Sequence, residues 1–98
     1  MLFKFFLQLV SAVEYLHNAS PYVVHRDLKL ENVLLAADGS LRLCDFGSCI
    51  FGPVSLKTSS ERSSAESIIN KETTPIYRSP EMVDLYMRDE LTEKTDIW

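Results

Sequence analysis

From residue 2 to residue 18 the apolar positions Leu2, Phe6, Leu9, Val13 and Leu16 recur at i, i+4, i+7, i+11 and i+14, the spacing of one helix face. Phe3, Phe5, Leu7 and Val10 make other faces apolar too. A helix apolar on several sides is normally buried in something larger. Pro21 cannot continue a helix and restricts Ser20, so the element is expected to end between Asn18 and Pro21. Tyr22-Val23-Val24 is a short β-type run. Val33-Leu34-Leu35 and Leu41-Arg42-Leu43 are two more, joined by a turn at Asp38-Gly39. Residues 52–73 change character: Ser55, Thr58, Ser59, Ser60, Ser63, Ser64 and Ser67 crowd there with Glu61, Arg62 and Glu66, which predicts a solvated, mobile loop. Pro80 stands where a helix can start, and Glu81, Met82, Val83, Leu85 and Tyr86 continue it. Thr95 is placed to cap a last helix that has barely begun at Asp96-Ile97-Trp98.

Composition narrows the class without fixing it. The 98 residues fit one small domain or part of a larger one. The hydrophobic fraction is 46% and the charged fraction 24%, which excludes a wholly disordered chain. The net charge is -4; no basic surplus exists to neutralise a phosphate backbone, which argues against nucleic-acid binding. Cys44 and Cys49 are too few for a disulfide framework and lack zinc-ligand company. They fit a reducing, cytoplasmic setting. The start could pass for a secretory signal, with Val10-Ser11-Ala12 a loose cleavage site, but Lys4 and Gln8 interrupt the apolar run and helical spacing continues beyond it. No run approaches the roughly 20 apolar residues of a membrane span.

The chemistry concentrates in His25-Arg26-Asp27-Leu28-Lys29-Leu30-Glu31-Asn32, a loop fixed between two strand-like runs. Such loops are where catalytic residues tend to sit. The run fits H-R-D-L-x-x-x-N at all five specified positions. At about 1/20 per position a chance match is on the order of 10⁻⁷ per starting point. Asp45-Phe46-Gly47 follows directly after the third strand-like run. A β-hairpin brings its two ends together, so Asn32 and Asp45 can face one another. Oxygen ligands on two neighbouring loops are what magnesium, a hard cation, requires.

Thr74-Pro75-Ile76-Tyr77-Arg78-Ser79-Pro80-Glu81 resembles the end of a kinase activation segment, with Ser79 where alanine is usual. Asp96-x-Trp98 resembles the opening of the central helix of the kinase C-lobe. With these four motifs in order, the chain resembles the eukaryotic protein kinases over nearly its whole length. Leu43 to Ser48, Thr73 to Tyr86 and Glu93 to Trp98 look more narrowly like the Numb-associated kinases, the group of the cyclin-G-associated and adaptor-associated kinases and their fungal actin-regulating relatives. That resemblance is good across residues 23–51 and 73–98 and absent in the serine-rich middle. It implies an α+β fold: a partial kinase domain over residues 1–98, mostly helical, with short strands around the catalytic loop. It would run from the first C-lobe helix through the catalytic loop, magnesium loop and activation segment to the start of the central helix.

The resemblance also implies roles. Asp27 would be the base that accepts the substrate hydroxyl proton; the bland alternative is a turn aspartate. Lys29 would steady the transferring phosphate, and a lysine there points to serine/threonine rather than tyrosine kinases. Asn32 and Asp45 would hold Mg²⁺, and Thr74 would hydrogen-bond Asp27 and Lys29. Arg26 would pair with an activation-loop phosphate, which its planar guanidinium suits, while the alternative leaves the serines as a plain solvated loop. His25 and Phe46 would be packing residues of the regulatory core, and Cys44 a small buried hydrophobe behind the nucleotide site. ATP and Mg²⁺ are the implied cofactors. Protein serine or threonine hydroxyls are the implied substrates, and endocytic adaptors or actin-regulating proteins the implied partners.

A working kinase also needs a Gly-rich loop over the phosphates and a strand lysine paired to a helix glutamate. The three glycines, at 39, 47 and 52, supply no G-x-G-x-x-G. The expectation is therefore a C-lobe piece without the ATP-gripping lobe or the later helices, inactive and poorly folded when isolated. The rival reading is a non-catalytic remnant acting at most as an interaction module.

Overall fold

A computed structural model describes residues 2–98. Met1 and the side chain of Leu2, the first position of the helical apolar pattern, lie outside what it describes. The first helix, α1 (Leu2–His17), forms where its periodicity places it. Its packed side is narrow: Val13 is buried, Phe5, Leu9 and Leu16 are partly buried, and Phe3, Phe6, Leu7, Val10 and Tyr15 are exposed. Gln8, a break in the apolar run, fastens the helix: its Oε1 accepts the Leu41 amide at 2.7 Å. No helix among the described residues is long and apolar enough to cross a membrane.

Three two-stranded antiparallel ladders follow. β1 (Val23–Val24) pairs with β4 (Ile50–Phe51). β2 (Val33–Leu35) pairs with β3 (Leu41–Leu43), in register Val33 with Leu43 and Leu35 with Leu41. β5 (Val54–Ser55) pairs with β6 (Glu90–Leu91). The predicted hairpin is present. Gly39, at φ 85°, supplies the left-handed turn, and Asp38 Oδ1 accepts the amide and hydroxyl of Ser40. The chain is thus α+β with short strands, as expected, but β4, β5 and β6 had no clear sequence signal, since two-residue ladders carry almost no periodicity.

Residues 52–73 overturn the expectation of a mobile loop. Ser59–Glu72 form a helix, α2. Thr58 accepts the Glu61 amide at 3.1 Å while Glu61 Oε1 accepts the Thr58 amide at 3.1 Å, a complete capping box. Ala65 and Ile69, one turn apart, bury into a cluster with Leu56, Met82, Leu85 and Leu91. The serines face solvent. Two buried positions and a cap suffice here because burial does what propensity does not.

Two smaller expectations also change. The helix from Pro80 stops early: α3 spans Pro80–Val83, because Asp84 leaves helical geometry and its Oδ1 accepts the Tyr86 amide at 3.1 Å, a local competitor of the helix ladder. At the end of the chain a 3₁₀ turn, Glu93–Ile97, is capped by Thr92 rather than by Thr95. Thr95 lies buried inside it, its hydroxyl donating back to the Thr92 carbonyl.

Hydrogen bonds to Glu61, from the Ser55 hydroxyl foremost, hold its carboxyl below the ordinary carboxylate range. A depressed carboxylate stabilises the fold above its unfolded pKa and loses that contribution as pH falls through its folded pKa. Protection of the first-turn amides of α2, measured against the intrinsic exchange rate at each pH, is therefore expected to fall on acidification in the wild type and to lose much of that pH dependence in Glu61→Gln. Thr58→Ala should weaken the helix by about 1 kcal/mol at neutral pH, readable as faster exchange of the same amides.

Candidate functional site

The site begins with a backbone held in an unfavourable place. Arg26 has φ 70° and Asp45 has φ 60°, left-handed conformations that side-chain-bearing residues seldom adopt and that cost of order 1–3 kcal/mol each. The loop around Arg26 is pinned from below by Asp96. Its Oδ2 accepts the His25 amide and its Oδ1 the Arg26 amide, both at 2.8 Å, and His17 Nε2 lies 2.9 Å from Oδ2. With 1% side-chain exposure, this carboxylate spends its acceptors on the loop and on α1. It draws together His17, His25 and Asp96, far apart in sequence.

His25 is fully buried. Its Nδ1 accepts the Asp27 amide at 3.1 Å, which leaves Nε2 as the protonated nitrogen, donating to the Cys44 carbonyl at 3.0 Å. Its ring meets Phe46 edge-on with centroids 5.0 Å apart. His25 therefore ties the loop to the end of β3, and Phe46 closes the contact.

Four of the named side chains converge. Thr74 Oγ1 donates to Asp27 Oδ1 at 2.9 Å and accepts from Lys29 Nζ at 2.6 Å. Lys29 Nζ lies 3.8 Å from Asp27 Oδ2. Asn32 Nδ2 donates to the Asp27 carbonyl at 2.8 Å and reaches Oδ2 at 3.3 Å. Asp27 is thus an almost buried carboxylate held on both oxygens, with a cation beside it. Asp45 stands apart from this network. The Cys44 amide donates to the Asn32 carbonyl at 2.8 Å, so the strand ladder sets Asp45 beside Asn32, but no hydrogen bond joins their side chains. The Asp45 carboxylate is exposed and Oδ1 takes the Gly47 amide at 3.3 Å; a Cβ on Gly47 would crowd that same oxygen, also at 3.3 Å.

The donor set fits a hard divalent cation. Asn32 turns its amide nitrogen to Asp27, which leaves its oxygen for a ligand, and Asp45 presents a carboxylate across the hairpin end. One or two such oxygens, completed by phosphate and water, are how magnesium is ordinarily bound.

Arg26 points elsewhere. Its Nε donates to the Ser48 carbonyl at 2.7 Å and its Nη2 lies 3.4 Å from Glu72 Oε2. Burial lowers the pKa of the guanidinium, with Glu72 and Asp96 opposing that shift. Sequence reading missed Asp96, Ser48, Glu72 and Arg78 as supports of the site. Asp96, Arg78 and Ser48 each stood within a quoted motif stretch that did not disclose their partners, and Glu72 had no signal at all, since these partners are set by how α2 docks.

Comparison with known proteins identifies the family. The protein kinase domain model matches residues 2–98. A probable serine/threonine-protein kinase of Dictyostelium discoideum is 44% identical over 96 residues, covering 97% of this chain and 8% of that protein. A protein kinase domain-containing protein of Schizosaccharomyces pombe is 46% identical over 90 residues, covering 92% and 14%. Actin-regulating kinase 1 of Saccharomyces cerevisiae is 43% identical over 93 residues, covering 93% and 14%. The chain therefore spans between 8% and 14% of the length of these relatives.

Asp96→Ala leaves two loop amides without their acceptor at about 1–3 kcal/mol each. A loss of roughly 2–6 kcal/mol is expected in chemical denaturation of the full-length protein, with Asp96→Asn milder because one acceptor survives.

Proposed function

The chain belongs to the protein kinase family, and from that premise we propose that its catalytic loop transfers the γ-phosphoryl group of ATP to serine or threonine hydroxyls of a protein. The observation that carries this reading is the linked trio of Asp27, Thr74 and Lys29, held at 2.9 and 2.6 Å through one hydroxyl. Phosphoryl transfer asks for positioned groups and charge neutralisation rather than covalent chemistry.

In this mechanism Asp27 orients the incoming hydroxyl and accepts its proton as the oxygen attacks phosphorus. Thr74 and Asn32 fix the rotamer of Asp27, so the carboxylate meets the substrate already aimed. Lys29, ammonium turned toward the same space, offsets charge on the transferring phosphoryl oxygens. Asn32 and Asp45 would hold Mg²⁺, which when bound neutralises phosphate charge. Arg26, His25 and Phe46 act one layer out, as the regulatory and packing support of the loop. A lysine two residues after the aspartate favours serine and threonine as acceptors, in line with the serine/threonine kinases among the relatives.

We place the chain more narrowly with the Numb-associated kinases, and assign it the stretch from the first C-lobe helix to the start of the central helix. The name of its actin-regulating relative supports actin-linked protein substrates; endocytic substrates and a cytoplasmic place of work are our inference from the narrower resemblance. A second reading, an interaction module without catalysis, draws on the exposed apolar face of α1, where Phe3 is 72% and Phe6 59% exposed.

The deciding assay is transfer of radiolabelled phosphate from ATP to a serine-bearing protein by the full-length protein, with and without Mg²⁺. Asp27→Asn should lower kcat by about 10²–10⁴-fold. Asp45→Ala should raise the Mg²⁺ concentration required, and Thr74→Ser should retain most of the activity that Thr74→Ala loses. Absence of Mg²⁺-dependent transfer by the wild type, with partner binding that depends on Phe3 and Phe6, would favour the second reading.

A further inference from the structure

The end of α2 and the catalytic loop share a junction that the roles above leave unused. Arg26, 5% exposed at its side chain, donates Nε to the Ser48 carbonyl at 2.7 Å and turns Nη2 to Glu72 at 3.4 Å. Ser48, itself buried, donates its hydroxyl to the Glu72 carbonyl. Glu72 is thus held at side chain and backbone by two residues that flank the site, one before Asp27 and one after Gly47. Arg78 secures the far side: its Nη2 donates to the carbonyls of Ile69 and Thr73 at 3.2 and 3.1 Å, and its Nε to the Thr73 hydroxyl at 2.8 Å.

Thr74 lies two residues beyond Glu72. Two residues span at most about 7 Å of chain, so a clamp on Glu72 limits where Thr74 can go. Ala65, Ile69, Arg62 and the Arg78 contacts hold the serine-rich helix to the segments around Leu56 and Met82, but it is the Glu72 clamp that joins its end to the loop of Arg26. A charge-assisted contact on a buried guanidinium is directional as well as attractive, which is what placing a single hydroxyl requires.

We propose that Glu72 and Ser48 are positioning residues for phosphoryl transfer: acting on and through Arg26, they fasten the end of α2 to the catalytic loop and so keep the Thr74 hydroxyl between Asp27 and Lys29. The inference rests on the catalytic reading above and deepens it. A carboxylate of the chain itself occupies the guanidinium that sequence alone would reserve for a phosphorylated hydroxyl. The order of the segment is then written into residue 72 rather than supplied by modification.

The test uses the full-length protein and four variants, Glu72→Ala, Glu72→Asp, Arg26→Ala and the Glu72→Ala/Arg26→Ala double variant, with Glu72→Gln in place of Glu72→Ala if the latter fails to fold. Steady-state kinetics and amide exchange over residues 73–78 are both read. Glu72→Ala should lower kcat about tenfold, since small misplacements of positioned groups cost up to about 10²-fold, with KM for ATP nearly unchanged. Glu72→Asp should recover part of the loss. Glu72→Ala should add little in the Arg26→Ala background, because both act in one unit. Exchange over residues 73–78 should quicken in Glu72→Ala. Unchanged kcat and exchange in Glu72→Ala, or losses that simply add in the double variant, would overturn the proposal. If the wild type transfers no phosphate, the catalytic reading fails by itself. The exchange measurement then still decides whether Glu72 fastens the segment.

Discussion

The buried carboxylate of Asp96 is the contact on which the site depends. A loop residue at φ 70° returns to ordinary geometry unless something over-determines it, and here one aspartate receives two successive amides, those of His25 and Arg26. The same carboxylate meets His17 at the end of α1. Anchored this way, the chain must turn sharply after His25. At that turn the Arg26 side chain goes to Ser48 and Glu72 while Asp27 goes to Thr74 and Asn32, so one strained residue separates two sets of partners.

From that turn the polar groups are satisfied in sequence. The imidazole of His25 accepts from the Asp27 amide and donates to the Cys44 carbonyl, which ties this loop to the hairpin end that carries Asp45. Asn32 returns to Asp27 across the next turn. Such a network is costly when half made and rigid when complete. Among the loop residues, Asp27, Asn32 and Arg26 all carry their hydrogen-bond partners within the chain.

The second support comes from a segment with few apolar residues. α2 contributes only Ala65 and Ile69 to the core cluster, yet its C-terminus is held by Arg26, Ser48 and Arg78 and delivers Thr74 to the site. In a helix so polar, placement depends on end contacts more than on its body. The apolar face of α1 is the opposite case: its pattern is that of a buried helix, and much of it faces outward here.

The residues of the candidate site stood out in the sequence because chemistry fixes residue type and short spacing. Asp27, Lys29, Asn32 and Asp45 stand in motifs that few unrelated chains would match, and the hairpin that brings Asn32 and Asp45 near each other announced itself through Asp38-Gly39 between two short β-type runs. α1 was legible from its period, whereas the α+β class came from the family resemblance, periodicity alone giving a helix, a few strands and a polar loop. The capping box of α2 was also written in the sequence, at Thr58 and Glu61, but the surrounding serines outweighed it, since composition speaks for solvation and says nothing about two buried positions one turn apart. What the tertiary structure alone decided were the contacts between distant segments: Asp96 beneath the loop of His25 and Arg26, Gln8 on the hairpin, Glu72 on Arg26, Thr74 between Asp27 and Lys29. Periodicity and motif are local quantities, whereas a buried carboxylate or guanidinium takes its partners from whichever backbone the folded chain brings within about 3 Å of it.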